Sequence, residues 1–361
     1  MSSLAHIEAD FGLKILSTTG INDTCIFSPL SILLSLSLVH LGAHGHTKHQ
    51  IRDVIAPSST DDTFVDYFKN INNLVNFSLN GVEATVANRL FVAPEQAIKQ
   101  NYVNDVMKYY NAETQKVDFK NVTEAAKIIN KYISDNTKGK IPDMVKSDGL
   151  DGVDAMLVNA IYFEADWREK FDSAKEAKFW RSEKESRDVL FLSDSSENYK
   201  YAEDDVFQVA AIQYKDKSAW FLILLPKTRF GLADAFQKLD GARFQKLVSS
   251  LVTHNVYLKM PKFKLTNKLD LTKILGKLGL AELFTERADL SNIGPGLQLS
   301  TATHQAMIEV DEWGTRAAAS TETKVYLVSG SSEEPKNVIA DHPFLFAVLK
   351  DNVPLFMGIY N

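Results

Sequence analysis

Between residues 28 and 43 the chain reads SPLSILLSLSLVHLGA, apolar on nearly every side of a helical wheel. Such a segment predicts a helix buried inside a domain, because a surface helix keeps one polar face for water. Ser28 followed by Pro29 supplies an N-cap and a proline at the first helical position. The stretch NVTEAAKIINKYISDNTKGK at 121–140 is instead amphipathic and predicts a helix that ends before Gly139. Between them, VEATVANRLFVA alternates well enough to be a strand. From about residue 150 the pattern turns to strands, in AMLVNAIYFEADW, AAIQYKDKSAWFLILLPK and NVYLKMPKFKLT, and some helix returns in NKLDLTKILGKLGLAELF. No compositional break, linker or internal repeat divides the chain. The pattern predicts one α+β domain over residues 1–361, helices first and then a sheet-rich half that packs on them.

A length of 361 residues is ample for a sizeable core, and 45% apolar with 24% charged residues is ordinary for a folded soluble protein. The net charge of −6 argues against nucleic acid or an anionic membrane as the main partner. Glu8, Asp10 and Lys14 interrupt the N-terminal stretch where a secretory leader needs an apolar core. A cytoplasmic location is therefore expected, with leaderless secretion left open. The longest apolar run, AWFLILL at 219–225, is far short of the roughly 20 residues that cross a bilayer. A single cysteine, Cys25, excludes an intrachain disulfide and fits a reducing compartment. The sequons at Asn22, Asn76 and Asn121 have meaning only for a secreted chain and read as chance.

No nucleophile-elbow, zinc-protease, phosphate-loop or dinucleotide motif is present, so the sequence points to no enzyme and no cofactor. Four histidines, His40, His44, His46 and His49, crowd VHLGAHGHTKHQ, and the first two are spaced to share a helix face, which makes a metal site conceivable. A helix ending near Gly42 and Gly45 would instead scatter the rings over a solvated turn, and neither glutamate nor cysteine lies within the stretch, so no metal is expected. Cys25 has no local nucleophile signature and reads as a buried structural thiol. STDDTFVDYFKNINNL, a further helical segment, carries Asp61, Asp62 and Asp66 against Lys69 alone, so no basic groove for heparin is expected.

Near the C-terminal end, EVDEWGTRAAASTETKVYLVSGSSEEPKNVIADHPFLF has the composition of a loop and the alternation of a strand. Thr315, Ala317, Ala319, Thr321, Thr323 and Val325 are small or β-branched, while Arg316, Ala318, Ser320, Glu322 and Lys324 fall between them. As a strand the segment has one face fit for packing and one fit for water. It follows IFSPLSI, ANRLFV, VDFKN, INKYISDNTKGKIPDM, LVNAIYFEADWREKF and MPKFKL and leads into ADHPFLFAV. These motifs, in this order, resemble the serpin family nearly from end to end.

The resemblance implies a fold of three β-sheets with eight or nine helices and an exposed reactive loop at about 312–339. It implies that a target protease cleaves the loop, that the cut loop inserts as a new strand in the central sheet, and that the acylated protease is dragged along and distorted. An inhibitor of this kind needs no catalytic residue. The implied partner is a serine protease, elastase-like or chymotrypsin-like, or a papain-like cysteine protease, and the inhibitor is expected as a monomer. Glu312, Trp313, Gly314, Thr315, Arg316, Ala317, Ala318, Ala319, Ser320 and Thr321 form the hinge, of which Thr315, Ala317 and Ala319 would enter first. A charge on its inward face would be buried without a partner, whereas Arg316, Glu322 and Lys324 fall on the other. Trp313 departs from the family, which usually has a charged residue before the glycine.

Three further sets of residues carry over by motif. Ser28, Ser31, Asn159 and His304 match a polar cluster beneath the central sheet, where strands part during insertion, and Trp167 matches the tryptophan where insertion begins. The scissile bond usually falls thirteen positions after the hinge threonine, which gives Val328 and Ser329. Counting back from HPFLF points further along. Tyr326 or Leu327 would suit a chymotrypsin-like enzyme, and Glu333 or Glu334 an acid-specific one. A non-inhibitory serpin acting as a binding or chaperone-like protein is the alternative.

Overall fold

The computed structural model describes residues 6–196, 198–315 and 334–361. Among the described residues are nine α-helices: α1 (Ile7–Thr19), α2 (Pro29–Gly42), α3 (Gly45–Ile55), α4 (Asp61–Ile71), α5 (Gln100–Tyr110), α6 (Val122–Asn136), α7 (Leu232–Gln237), α8 (Gly241–Ser249) and α9 (Leu271–Leu275). They surround three sheets. The central sheet runs in the order β13 (Phe263–Asp270), β14 (Thr301–Val310), β15 (Gly314–Thr315), β5 (Ala155–Asp166), β3 (Val82–Val92) and β2 (Phe77–Leu79), with β4 (Glu113–Lys116) parallel to β3. A second sheet orders β1 (Cys25–Phe27), β18 (Val353–Tyr360), β17 (Phe344–Lys350), β10 (Ala219–Pro226), β9 (Phe207–Gln213), β8 (Lys200–Glu203) and β11 (Val252–Thr253). The third orders β16 (Lys336–Ile339), β12 (Val256–Pro261), β7 (Ser186–Ser196) and β6 (Ala174–Trp180).

The all-round apolar character of α2 has a direct structural cause. The helix touches β5 and β3 of the central sheet on one side and β18 of the second sheet on another, so it has almost no face left for water. Ser28 caps it as expected, its hydroxyl oxygen accepting the Ser31 N–H at 3.1 Å. Helix α6 lies on the opposite face of the central sheet. There Ala125, Ile129 and Ile133 close a second, smaller core over Ala87, Phe91, Val158, Ala160 and Met307. The central sheet is thus covered on both faces over part of its length.

Three expectations change. The helical and sheet-rich parts are not separate halves: β1 pairs with β18 and β3 with β5, so early strands complete sheets built from late ones. Periodicity reports local geometry and is blind to pairing across hundreds of residues. In NKLDLTKILGKLGLAELF, the first four residues continue β13, and α9 is short because Gly279, at φ 103, breaks the helix beyond it. The four histidines do not share a turn. His40 is buried in α2 with its ring 4.4 Å from that of Phe64, while His46 and His49 ride on α3, which starts at Gly45 rather than being delayed by it. Among the described residues, no group of three or more His, Cys, Asp or Glu could hold a metal ion. No described helix is long and apolar enough to cross a membrane.

Candidate functional site at the seam of the central sheet

Strands β14 and β5 are parallel neighbours over seven rungs, from Thr301 opposite Met156 to Met307 opposite Tyr162. Beyond Met307 they part, and β15 occupies the opening. Thr315 pairs antiparallel with Val310 on one side and with Ala165 on the other. Gly314 and Thr315 of the expected hinge therefore already lie inside the sheet.

A tight hairpin puts them there. The Asp311 N–H donates to the Gly314 carbonyl at 2.9 Å, and the Asp311 carboxylate accepts the N–H groups of Trp313 and Gly314 at 2.8 and 3.1 Å. This is a side-chain-stabilised turn of the kind aspartate favours. Burial raises the Asp311 carboxyl above its ordinary value, against those two donors. Glycine is obligatory at 314, since a Cβ would stand 2.0 Å from the Ala165 carbonyl oxygen. At the hairpin tip, Glu312 pairs with Lys262 at 2.6 Å. Burial opposes ionisation of Glu312, but Lys262 and backbone donors together hold its carboxyl below the ordinary value. Trp313 is half-buried, with the Lys170 ammonium 4.5 Å from its ring centre.

Trp167 holds this hairpin from beneath. Its indole N–H donates to the Asp311 carbonyl at 2.8 Å and its backbone N–H to the Trp313 carbonyl at 2.9 Å. The indole stacks on Tyr214, centroids 4.5 Å apart, and the Tyr214 hydroxyl lies 2.8 Å from that of the fully buried Thr315. Tyr214, Asp311 and Lys262 were not found by sequence reasoning. Asp311 three residues before Gly314 was a readable turn signal, whereas nothing local marks Tyr214 or Lys262.

Further down the seam, Ser28, Ser31, Asn159 and His304 meet. Asn159 on β5 and His304 on β14 are cross-strand partners, and the His304 Nδ1–H donates to the Asn159 side-chain oxygen at 2.5 Å. His304 Nε2 accepts the Ser28 N–H at 3.1 Å. The Asn159 amide donates to the Ser31 hydroxyl and carbonyl at 2.6 and 3.1 Å. With both ring nitrogens committed in this way, His304 is the neutral Nδ1–H tautomer, and burial pushes its pKa down to about 3.

Arg316, Ala317, Ala318, Ala319, Ser320, Thr321, Tyr326, Leu327, Val328, Ser329 and Glu333 lie outside the described residues. Glu334 is exposed, just ahead of β16. Both ends of the expected loop at 312–339 are strand, since Lys336–Ile339 pair with Val256–Lys259 in the third sheet. The outward face of the central sheet also differs from expectation. It meets water near the hairpin, but lower down it is covered by α6 and the second core, so outward charges on an inserted strand would reach water only at the upper rungs. Cys25 is half-buried, and burial pushes its thiol up to about 11, as suits an unreactive residue.

A family model described as Serpin (serine protease inhibitor) matches residues 6–361. The chain is 32% identical over 353 residues to Serine protease inhibitor 42Dd of Drosophila melanogaster, covering 96% of this chain and 93% of that protein. It is 31% identical to the Leukocyte elastase inhibitor of Xenopus tropicalis, with 100% and 98% covered. A solved structure of thyroxine-binding globulin with thyroxine superposes with a TM-score of 0.87 at 25% identity, covering 98% of each chain.

Proposed function

Since this chain belongs to the serpin family, we propose that it inhibits a serine endopeptidase of elastase-like specificity by offering the bond between Val328 and Ser329. The serine oxygen of the protease attacks the Val328 carbonyl, an ester forms, and Ser329 leaves as a free amine with the C-terminal fragment. The severed segment then threads between β14 and β5, carrying the acylated protease with it before water can cleave the ester. The observation that carries this reading is the seating of Gly314 and Thr315 in the opening between those strands.

On this reading, Ala317, Ala319 and Thr321 would follow Thr315 on the core side of an inserted strand, and Thr321 would reach the rung of Asn159 and His304, six below Ala165 and Val310. Insertion must therefore break the His304–Asn159 hydrogen bond and replace seven parallel rungs by two antiparallel ladders. Antiparallel pairing is slightly the more stable per residue, and two ladders replace one. The costs are the loss of that polar pair, the parting of the seven-rung ladder and the placing of Glu322 and Lys324 against the face that α6 covers.

The fold alone does not decide this, since a structure of the same fold holds thyroxine. The deciding experiment incubates the chain with elastase-like, chymotrypsin-like, acid-specific and papain-like proteases and runs denaturing gels. A boiling-resistant complex with an elastase-like enzyme is expected, and the mass of the released peptide locates the bond at Val328, or otherwise at Tyr326, Leu327, Glu333 or Glu334. Clipping by a non-target protease should also raise the melting temperature far beyond the roughly 2–4 °C that 1 kcal/mol gives in a large domain. No complex and no rise would eliminate the inhibitory reading.

A further inference from the structure

Across the top of the central sheet, on its outward face, three carboxylates stand in one row: Glu83 on β3, Glu164 on β5 and Glu309 on β14. Glu83 and Glu164 are direct cross-strand partners, an arrangement of like charges that destabilises a sheet. Lys138 relieves Glu83, and Lys264 relieves Glu309 at 2.9 Å. Glu164 accepts the Tyr162 hydroxyl at 2.8 Å and has no basic partner among the described residues. Burial first, and then Glu164, Glu83 and Glu309 together, raise the Tyr162 phenol, so this one ring senses all three acids.

The row stands at one particular rung. Thr315 is paired with Ala165 and Val310, so the next rung down the seam is bounded by Glu164 on one side and Glu309 on the other. The residue that follows Thr315 is Arg316. Successive side chains on a strand alternate faces, so in a strand continued from the core-facing Thr315 the next residue would fall outward, on the side of both carboxylates. Directly opposed side chains in a sheet have Cβ atoms about 5 Å apart, within reach of a guanidinium.

We propose that this carboxylate row is a docking slot for Arg316, the leading charge of the segment that continues from Thr315, and that it speeds the first new rung of insertion. The inference rests on the inhibitory reading and adds to it a named residue that biases the outcome. A protease held as an acyl-enzyme is either trapped by insertion or released by hydrolysis. A faster first rung shifts that competition toward trapping, and the attraction should fade with salt because the slot is partly exposed.

The test uses the full chain and a protease that the unmodified protein traps. Arg316→Glu is expected to raise the number of inhibitor molecules consumed per protease by about tenfold, a like-charge clash replacing two modest attractions. Adding Glu164→Lys to Arg316→Glu should restore most of the trapping. For Arg316→Glu alone, the rate of loop cleavage and the melting temperature of the uncut chain should stay unchanged, which separates this effect from altered recognition or folding. If Arg316→Glu traps as well as the unmodified chain, or the double variant brings no recovery, the docking slot is wrong while inhibition stands. If the unmodified chain traps nothing and clipping leaves its melting unchanged, the inhibitory reading itself fails and takes the slot with it.

Discussion

Acid should loosen the seam of the central sheet through His304. Its two nitrogens are committed to one donated and one accepted hydrogen bond, so a second proton would place an N–H against the Ser28 N–H inside the core. The folded pKa lies at about 3, against an ordinary value near 6.5 for an unfolded chain. Below that ordinary value the unfolded chain binds a proton that the folded chain refuses, so stability falls with pH until the folded value is reached. At pH about 5 the gap is about 1.5 units, worth about 2 kcal/mol. That is a sizeable part of the roughly 5–15 kcal/mol that holds a typical protein folded. His40, pushed to about 4 by burial first and then by Lys48 and Arg52 against Asp61, adds a similar sensitivity elsewhere. The assay must therefore be differential: urea unfolding of the unmodified chain and of His304→Gln, each near pH 7.5 and pH 5. The unmodified chain should lose about 2 kcal/mol more than the variant over that interval. Equal losses would refute the assignment of His304 as a neutral, doubly hydrogen-bonded ring.

Thr315→Arg buries a guanidinium where Thr315 bonds the Tyr214 hydroxyl, at a cost of several kcal/mol, so under the proposed mechanism the variant should be cut as a substrate without trapping protease on gels. In Gly314→Ala the new methyl meets the Ala165 carbonyl, and the hinge should leave the sheet, seen as a change in Trp167 fluorescence and a loss of about 1–3 kcal/mol in denaturation. Trp167→Phe keeps an aromatic ring for Tyr214 but strands the Asp311 carbonyl, costing about 1 kcal/mol in the same assay, and an unchanged midpoint would remove that bond from the account. Asn159→Ala leaves the His304 N–H and the Ser31 hydroxyl unpaired and should cost about 2–4 kcal/mol.

Strong local signals were legible. The all-round apolar α2, the amphipathic α6 and the alternating β3 each announce themselves because periodicity is a direct imprint of which faces are covered. The pairing of Asn159 with His304 was legible only through family resemblance, since 145 residues separate them. What stayed hidden depends on neighbours that no local pattern records. The Tyr214 hydroxyl meets Thr315 because β9 and β10 bring that ring under the hinge, and α6 turns a face that reads as solvent-facing into a second core. The carboxylate row is equally silent in sequence, because Glu83, Glu164 and Glu309 become neighbours only once β3, β5 and β14 are in register.

Under the proposed mechanism, the seating of Thr315 would both prepare insertion and withhold it. Its one rung is satisfied on both sides and from below by Tyr214, so the hinge is held without strain. The rungs beneath it are already filled by the β14–β5 ladder and locked by the His304–Asn159 pair, so going further must first break bonds that are all made. The described chain resumes near β16, in a different sheet, so in the uncut chain each rung gained below Thr315 would leave fewer residues to span that distance. Cutting it removes that tether but leaves the seam unchanged. The barrier to insertion in the severed chain is then the seam alone, which is why substitutions at Asn159 and His304 should change how fast a cut segment enters, while those at Gly314 and Thr315 should change whether it enters at all.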